Sequence, residues 1–217
     1  LSSSAAIEVA VGGALCAVAR NDLGAGDLAL IAQKAENDFV GVQCGIMDQF
    51  ASALSHAGEA LLIDCRSLDV EHIPLPFEEA GVALVIVDSK VPRRLEAAPY
   101  NERRRECEDA AAALGVIALR DVDGAMLETR RADLGQCLYK RATHVVSENA
   151  RVLRAVEALR TRDIDRVGEL MYESHESLRD DFEVSCAELD LLVELASRSP
   201  SVLGARLTGA GFGGCTV

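Results

Sequence analysis

Positive charge is what this sequence is short of: 22 Lys and Arg stand against 35 Asp and Glu, a formal net charge of −13 over 217 residues. A protein that tracks a nucleic-acid backbone neutralises its phosphates with a basic face, so DNA and RNA are excluded as partners. A small phosphate-bearing ligand would have to be held by local amides, a few cations and a metal ion, against the field of the whole chain. The seven cysteines are an odd number, evenly spread, with no C-x-x-C pair and no histidine placed to complete a zinc site with them. They read as reduced, mostly buried thiols and imply a cytoplasmic compartment. No apolar run approaches the roughly 20 residues that cross a bilayer, and no signal peptide, repeat or low-complexity tract is present. The chain opens at Leu1 without Met, which implies that N-terminal sequence is missing.

What remains is an ordinary globular balance, 49% apolar and 26% charged, long enough for one large or two small domains. Three serines, Ser2, Ser3 and Ser4, precede a small-residue apolar stretch over 5–19 that reads as a buried, serine-capped helix. Helical spacing of Leu28, Ile31, Ala32 and Ala35 predicts a second helix over 27–37, with Glu36 near its end. A third, over 45–55, buries Met47, Phe50, Ala51 and Leu54 and leaves Asp48 in its first turn, off that stripe. Strand-like runs over 61–65 and 82–87 flank a proline-containing segment. Helices over 101–114, 136–159, 164–174 and 187–196 follow, the third capped by Asp163, and short strands at 205–208 and 215–217 bracket a glycine loop. The mixture is α+β in two layers, with domains over 1–58 and 59–217.

Several residues invite chemistry, each beside a plainer reading. The serine run is a helix cap, or a phosphate cradle in which helix amides face an anion and the Ser4 hydroxyl ligates magnesium. Asp48 is a dipole partner at a helix start, or the acid beside an attacking hydroxyl in phosphoryl transfer. Glu36 is a solvated helix-end charge or a second oxygen ligand for magnesium. Tyr100 packs its ring or offers its hydroxyl to a sugar. Arg93, Arg94 and Arg103 to Arg105 are a solvated face or phosphate contacts. Gly209-x-Gly211-x-x-Gly214 matches a dinucleotide fingerprint by letter, but strand-type residues follow it and no helix does. It is a tight positive-φ turn, or a loop lying against a ligand or another loop. His144 and His175 have no partners at metal spacing and read as structural.

The order and wording of six segments resemble the galactokinases of the galactose/homoserine/mevalonate/phosphomevalonate kinase superfamily over essentially the whole chain. They are Leu1-Ser-Ser-Ser-Ala5, Glu36-Asn-Asp-Phe-Val-Gly41, Cys44-Gly-Ile-Met-Asp-Gln49, Leu62-Ile-Asp-Cys-Arg-Ser67, Ser177-Leu-Arg-Asp-Asp-Phe-Glu183 and Thr208-Gly-Ala-Gly-Phe-Gly-Gly214. The resemblance implies a two-domain fold, ribosomal-protein-S5-like at the N-terminal part and ferredoxin-like at the C-terminal part, incomplete here. It implies a monomer that takes ATP, Mg2+ and galactose and yields galactose 1-phosphate. Leu1, Ser2, Ser3 and Ser4 match the tail of the family's phosphate loop, Ser4 and Glu36 its magnesium ligands, Asp48 its catalytic acid, and Gly45, Asp48 and Tyr100 its sugar contacts. The glycine loop matches the third superfamily motif, which supports the active-site walls. A kinase for N-acetylgalactosamine, or a sugar and nucleotide sensor acting through protein contacts, would share these residues.

The family's first motif, with its arginine and sugar-holding acids, would lie before Leu1, and its last strands after Val217. Ala187 stands where the family often has proline. Loss of such an arginine commonly costs two to five orders of magnitude, so this exact polypeptide is expected to have little kinase activity while the full-length gene product has it.

Overall fold

Small residues decide the packing of the first helices. Gly12 and Gly13 of α1 (Ser3–Ala19) face α2 (Ala25–Ala35), and a methyl group built on Gly12 would stand 2.6 Å from Leu28 Cδ1. α2 loosens into one wide turn, Glu36–Val40, closed by the Gly41 N–H on the Glu36 carbonyl at 3.0 Å, with Gly41 at φ 81°. Such i to i+5 turns recur at functional sites because they re-aim a side chain without ending the helix. α3 (Met47–Leu54) follows, and Phe50 joins Ile46 and Ala29 in a buried core. An antiparallel hairpin, β1 (Glu59–Ile63) and β2 (Val70–Pro74), lays Leu61 and Ile63 on that core, with Glu59 opposite Pro74 and Ile63 opposite Val70.

The computed structural model describes residues 3–91 and 97–217, and the chain divides into two units, Leu1–Pro76 and Phe77–Val217. The boundary read from sequence, at 58/59, lies at the entry to β1 within the first unit. In the second unit a three-stranded antiparallel sheet is ordered β3 (Val87–Asp88), β5 (Cys215–Thr216), β4 (Leu207–Thr208). Around it run α4 (Ala97–Leu114), α5 (Gly124–Thr129), α6 (Arg131–Arg160), α7 (Ile164–Asp180) and α8 (Ala187–Ser197). Asp163 caps α7 by accepting the Arg166 N–H at 3.0 Å, as the sequence predicts. α6 is broken at Gly135 (φ 63°, ψ 169°), which is why helical periodicity is legible only from 136 onward. Ala110, Ala111 and Leu114 of α4 pack on Leu134 and Ala142 of α6, and Leu178, Leu189 and Leu207 form a second core. The mixed helices and small sheets make the fold α+β.

Four expectations change. None of the seven cysteines is fully buried, and Cys65 and Cys137 are exposed. In α3 Phe50 is buried as expected, but Met47 and Ala51 are exposed and Gln49 takes the buried place beside Phe50, because the helix packs on α1 as well as on α2. The apolar stretch of α1 is not a buried helix: Ala5 is its buried residue, whereas Ile7, Val11, Leu15 and Val18 are exposed. Its apolar positions run round the whole circumference, while α2 and α3 cover one side. The run over 82–87 is not a full strand either. Only Val87 and Asp88 join a ladder, and Leu84, Val85 and Ile86 are exposed, because β5 offers just two residues for pairing.

A buried polar layer joins α6 to α7. His144 Nδ1 lies 3.0 Å from Ser177 Oγ, and the Ser177 hydroxyl in turn lies 3.0 Å from Asp181 Oδ2. The His144 ring stacks on Phe182 with centroids 4.5 Å apart. Burial pushes the His144 imidazole down to about 4, well below the value near 6.5 of an unfolded histidine. The unfolded chain therefore takes up this proton first as pH falls, and stability is lost between about pH 6.5 and the folded value. The neighbouring Glu148 acts in the same sense. Burial raises it, but the Ser174 hydroxyl and the guanidinium groups of Arg206 and Arg151 outweigh burial and hold it below its ordinary value. Urea denaturation is expected to show a stability loss from pH 7 to pH 4.5 that shrinks in His144→Gln. An equal loss in the variant would remove His144 from the account.

Candidate active site in the first unit

The site begins at the N-terminus of α1, where the first backbone N–H groups have no intrahelical acceptor and present the positive end of the helix dipole. Ser4 sits in that first turn, exposed, with its Oγ 2.8 Å from Glu36 Oε2 and 3.2 Å from Glu8 Oε1. One hydroxyl proton is thus shared between two carboxylates. Glu36 reaches this position because it opens the wide turn after α2. Burial first, then the hydrogen bond and charge of Glu8 and the charge of Asp48, push the Glu36 carboxyl above its ordinary value against the pull of the Ser4 hydroxyl.

Asp48 is held by the amphipathicity of α3. Ile46 and Phe50 point into the core, so the carboxylate in the first turn is half-buried on another face. Its charge is felt at Glu36, which places Ser4, Glu36 and Asp48 in one electrostatic cluster. Gly45, just before α3, is exposed, and a methyl group built on it would meet nothing within 4 Å. Ser3 is exposed in the first turn of α1. Leu1 and Ser2 lie outside the described residues, as do Arg93 and Arg94.

Glu8 and Gln49 escaped the sequence reading. Glu8 is the lone charged residue of α1, four positions after Ser4 and so on the same helix face. That spacing was the available signal. Gln49 is 1% exposed, donates from Nε2 to Glu8 Oε2 at 3.3 Å and stands 3.9 Å from Cys44 Sγ. Its Oε1 is buried without a hydrogen-bond partner. Gln33 Nε2 donates to the Cys44 carbonyl at 3.1 Å, fixing the segment that leads into α3. Burial, and then the nearby Glu36 charge, push the Cys44 thiol up, so it is a packing group and not a nucleophile.

The Ser4 hydroxyl and the Glu36 and Glu8 carboxylates on it are hard oxygen donors with surplus negative charge. That is the donor chemistry magnesium selects. Ser4 and Glu36, with Glu8 beside them, fit the ion.

Tyr100 belongs to the second unit, half-buried in the first turn of α4. The glycine loop lies there too. Gly209, Gly211, Gly213 and Gly214 all have positive φ. A methyl group on Gly211 would stand 2.1 Å from the Val184 carbonyl oxygen, and one on Gly213 would stand 2.7 Å from that of Val91. The Phe212 N–H donates to Val184 O at 2.7 Å and the Gly214 N–H to Val91 O at 3.2 Å. The loop is therefore both a positive-φ turn and a close neighbour of two other loops. No helix follows it, and the dinucleotide reading falls. Arg103 is a structural residue, donating to the Phe182 carbonyl at 2.8 Å, and Arg104 pairs with Glu108 on the surface.

Residues 1–56 match the family described as GHMP kinases N terminal domain, and residues 155–217 match GHMP kinases C terminal. The chain is 50% identical over its whole length to the galactokinase of Roseiflexus sp. (strain RS-1), of which it covers 56%. It is 51% identical to that of Pasteurella multocida (strain Pm70), of which it covers 57%. It thus spans about half the length of the curated relatives it matches. Among solved structures, Lactococcus lactis galactokinase complexed with galactose superposes with a TM-score of 0.92 at 37% identity, over all of this chain and 56% of that one. L. major mevalonate kinase in complex with R-mevalonate shares the fold, with a TM-score of 0.61 at 23% identity over 99% of this chain and 55% of that one.

Proposed function

The chain belongs to the GHMP kinase family, and from that premise we propose that the gene product carrying it is a galactokinase, moving the γ-phosphate of ATP to the anomeric hydroxyl of galactose. The observation that carries the reading is the hydrogen bond of Ser4, at the amide-lined start of α1, to Glu36, whose carboxyl also feels the charge of Asp48. Phosphoryl transfer asks little covalent chemistry of a protein. It asks for a positioned hydroxyl, a group to accept its proton, and charge stabilisation of the triphosphate. The free N–H groups of α1 would donate to phosphate oxygens, adding the favourable end of the helix dipole. Ser4 and Glu36 would hold Mg2+, which when bound neutralises charge on the phosphates. Asp48, in the first turn of α3, would accept a hydrogen bond from the sugar hydroxyl and then its proton as the oxygen attacks. The open space at Gly45 would meet the sugar. A reducing cytoplasm suits a protein whose seven cysteines form no disulfide among the described residues.

A coupled ADP-release assay on that gene product tests the proposal. Galactose is expected to stimulate ADP release far more than N-acetylgalactosamine does. The reverse preference would assign the other sugar, and ligand binding without turnover would make the protein a sensor. The metal assignment has its own check. Ser4→Ala is expected to raise the Mg2+ concentration for half-maximal activity at least the roughly 10–100-fold that losing an outer-shell partner costs. An unchanged Mg2+ dependence would confine Ser4 to its hydrogen bonds with Glu36 and Glu8.

A further inference from the structure

A second constellation in the first unit takes no part in phosphoryl transfer. Directly after α3 the chain makes a tight turn, closed by the Glu59 N–H on the His56 carbonyl at 3.3 Å, with Gly58 at φ 77° where a side chain would be strained. The turn folds His56 back over Glu59, the first residue of β1. In the hairpin Glu59 pairs with Pro74 and Leu61 with His72, so Glu59 and His72 are diagonal neighbours on one face of the ladder. Three side chains from the loop, β1 and β2 therefore converge. His56 Nδ1 lies 3.1 Å from Glu59 Oε2, His72 Nδ1 lies 3.0 Å from the same oxygen, and the two rings stack with centroids 4.0 Å apart and planes 13° from parallel. One ligand atom from each residue falls within a 4.8 Å span, and this is the group among the described residues that meets that condition.

The His72 nitrogen carries the argument. Nδ1 is buried and has no aligned hydrogen-bond partner, although a carboxylate oxygen is 3.0 Å away. His56 Nδ1 is hydrogen-bonded to Glu59 Oε2, whereas His72 Nδ1 reaches the same oxygen without donor-to-acceptor alignment, and the three atoms stand together as ligands about a common cation would. Zinc bonds of about 2.0–2.2 Å to nitrogen and oxygen place neighbouring tetrahedral ligands roughly 3.3–3.5 Å apart, close to these separations. Two imidazoles and one carboxylate are borderline donors that favour zinc over magnesium, with a fourth position left for water.

We propose that His56, Glu59 and His72 form a Zn2+ site, distinct from the oxygen cluster at Ser4, which ties the β1–β2 hairpin to the end of α3. The side chain of His56 is 67% exposed and those of His72 and Glu59 are 27% and 32% exposed, so an ion enters from solvent without rearrangement of the core.

Histidine-ring nitrogen NMR on the chain during titration with ZnCl2 at pH 7.5 reads the site directly, because the sequence holds only four histidines. The His56 and His72 resonances are expected to shift together and saturate at one equivalent, while His144 and His175 stay in place and MgCl2 moves none. Competition against a chromophoric chelator is expected to show a Zn2+ affinity at least roughly 100-fold weaker in His72→Ala, since losing a ligand costs no less than losing an outer-shell partner. Zn2+ uptake that leaves all four histidines unmoved would mean binding by thiols and would overturn the proposal, as would an unchanged affinity in His72→Ala. The NMR arm needs no variant, so misfolding of a mutant cannot decide the matter.

Discussion

On the proposed reading, replacing Asp48 with asparagine in the gene product that carries this chain is expected to lower the turnover of galactose-dependent ADP release by about 10²–10⁴-fold, the span general-base catalysis commonly supplies. The amide keeps the shape and a hydrogen-bonding oxygen but cannot take a proton, so the loss should fall on kcat and leave galactose KM within a few-fold. A second consequence separates this role from a structural one. Asp48 contributes to the raised carboxyl of Glu36, so removing its charge relieves Glu36. Mg2+ binding by the variant should be unimpaired even as turnover collapses. A variant with normal kcat would end Asp48's candidacy as the proton acceptor, and one that lost Mg2+ and sugar binding along with turnover would place it in binding.

The largest expected effect on stability is at Arg141, whose side chain is 4% exposed. It donates from Nε to Glu106 Oε2 at 2.7 Å, from Nη2 to Glu183 Oε2 at 2.8 Å and from Nη1 to the Asp181 carbonyl at 2.5 Å. Lys140 adds bonds to Asp180 O at 3.0 Å and Glu183 Oε1 at 3.1 Å. This clamp holds the turn after α7, where Glu183 has φ 55°, a conformation that side-chain-bearing residues rarely adopt. Burial alone would raise Glu106, but the hydrogen bond of Arg141 and the charges of Arg103 and Arg141 hold it below its ordinary value. Arg141→Ala leaves that carboxylate half-paired and two acceptors empty, at an expected cost of roughly 3–5 kcal/mol. Arg141→Lys keeps the charge without the fork and should fall between. Urea denaturation of the chain measures both, and an alanine variant within 1 kcal/mol of the parent, the ordinary scale of a surface ion pair, would show that the clamp is dispensable.

The segment 177–183 illustrates how much can be read from letters alone. Its wording carries the family likeness, yet nothing in it announces that its acids and carbonyls are gripped by Arg103 and Arg141 from helices some 40 to 80 positions away. Glu8 makes the same point at the site. It shares a helix face with Ser4, a local fact, but its meaning depends on Glu36 arriving from 28 residues further on. The strand read over 82–87 fails for a related reason. β-propensity is local, whereas a strand exists only where a partner ladder does.

Local chemistry is what the sequence determined by itself: the helix start at Asp163, the freed acid on the first turn of α3, and the positive-φ loop of residues 209–214. These depend on spacing, side-chain hydrogen bonds and backbone sterics over a few residues, which any short stretch of chain already carries. Tertiary structure decided which acids share a proton, how the hairpin brings His72 beside His56, and which arginine is buried. Those outcomes depend on groups distant in sequence meeting at about 3 Å, where charge and desolvation change steeply with position, and the one-dimensional order of residues does not record those separations.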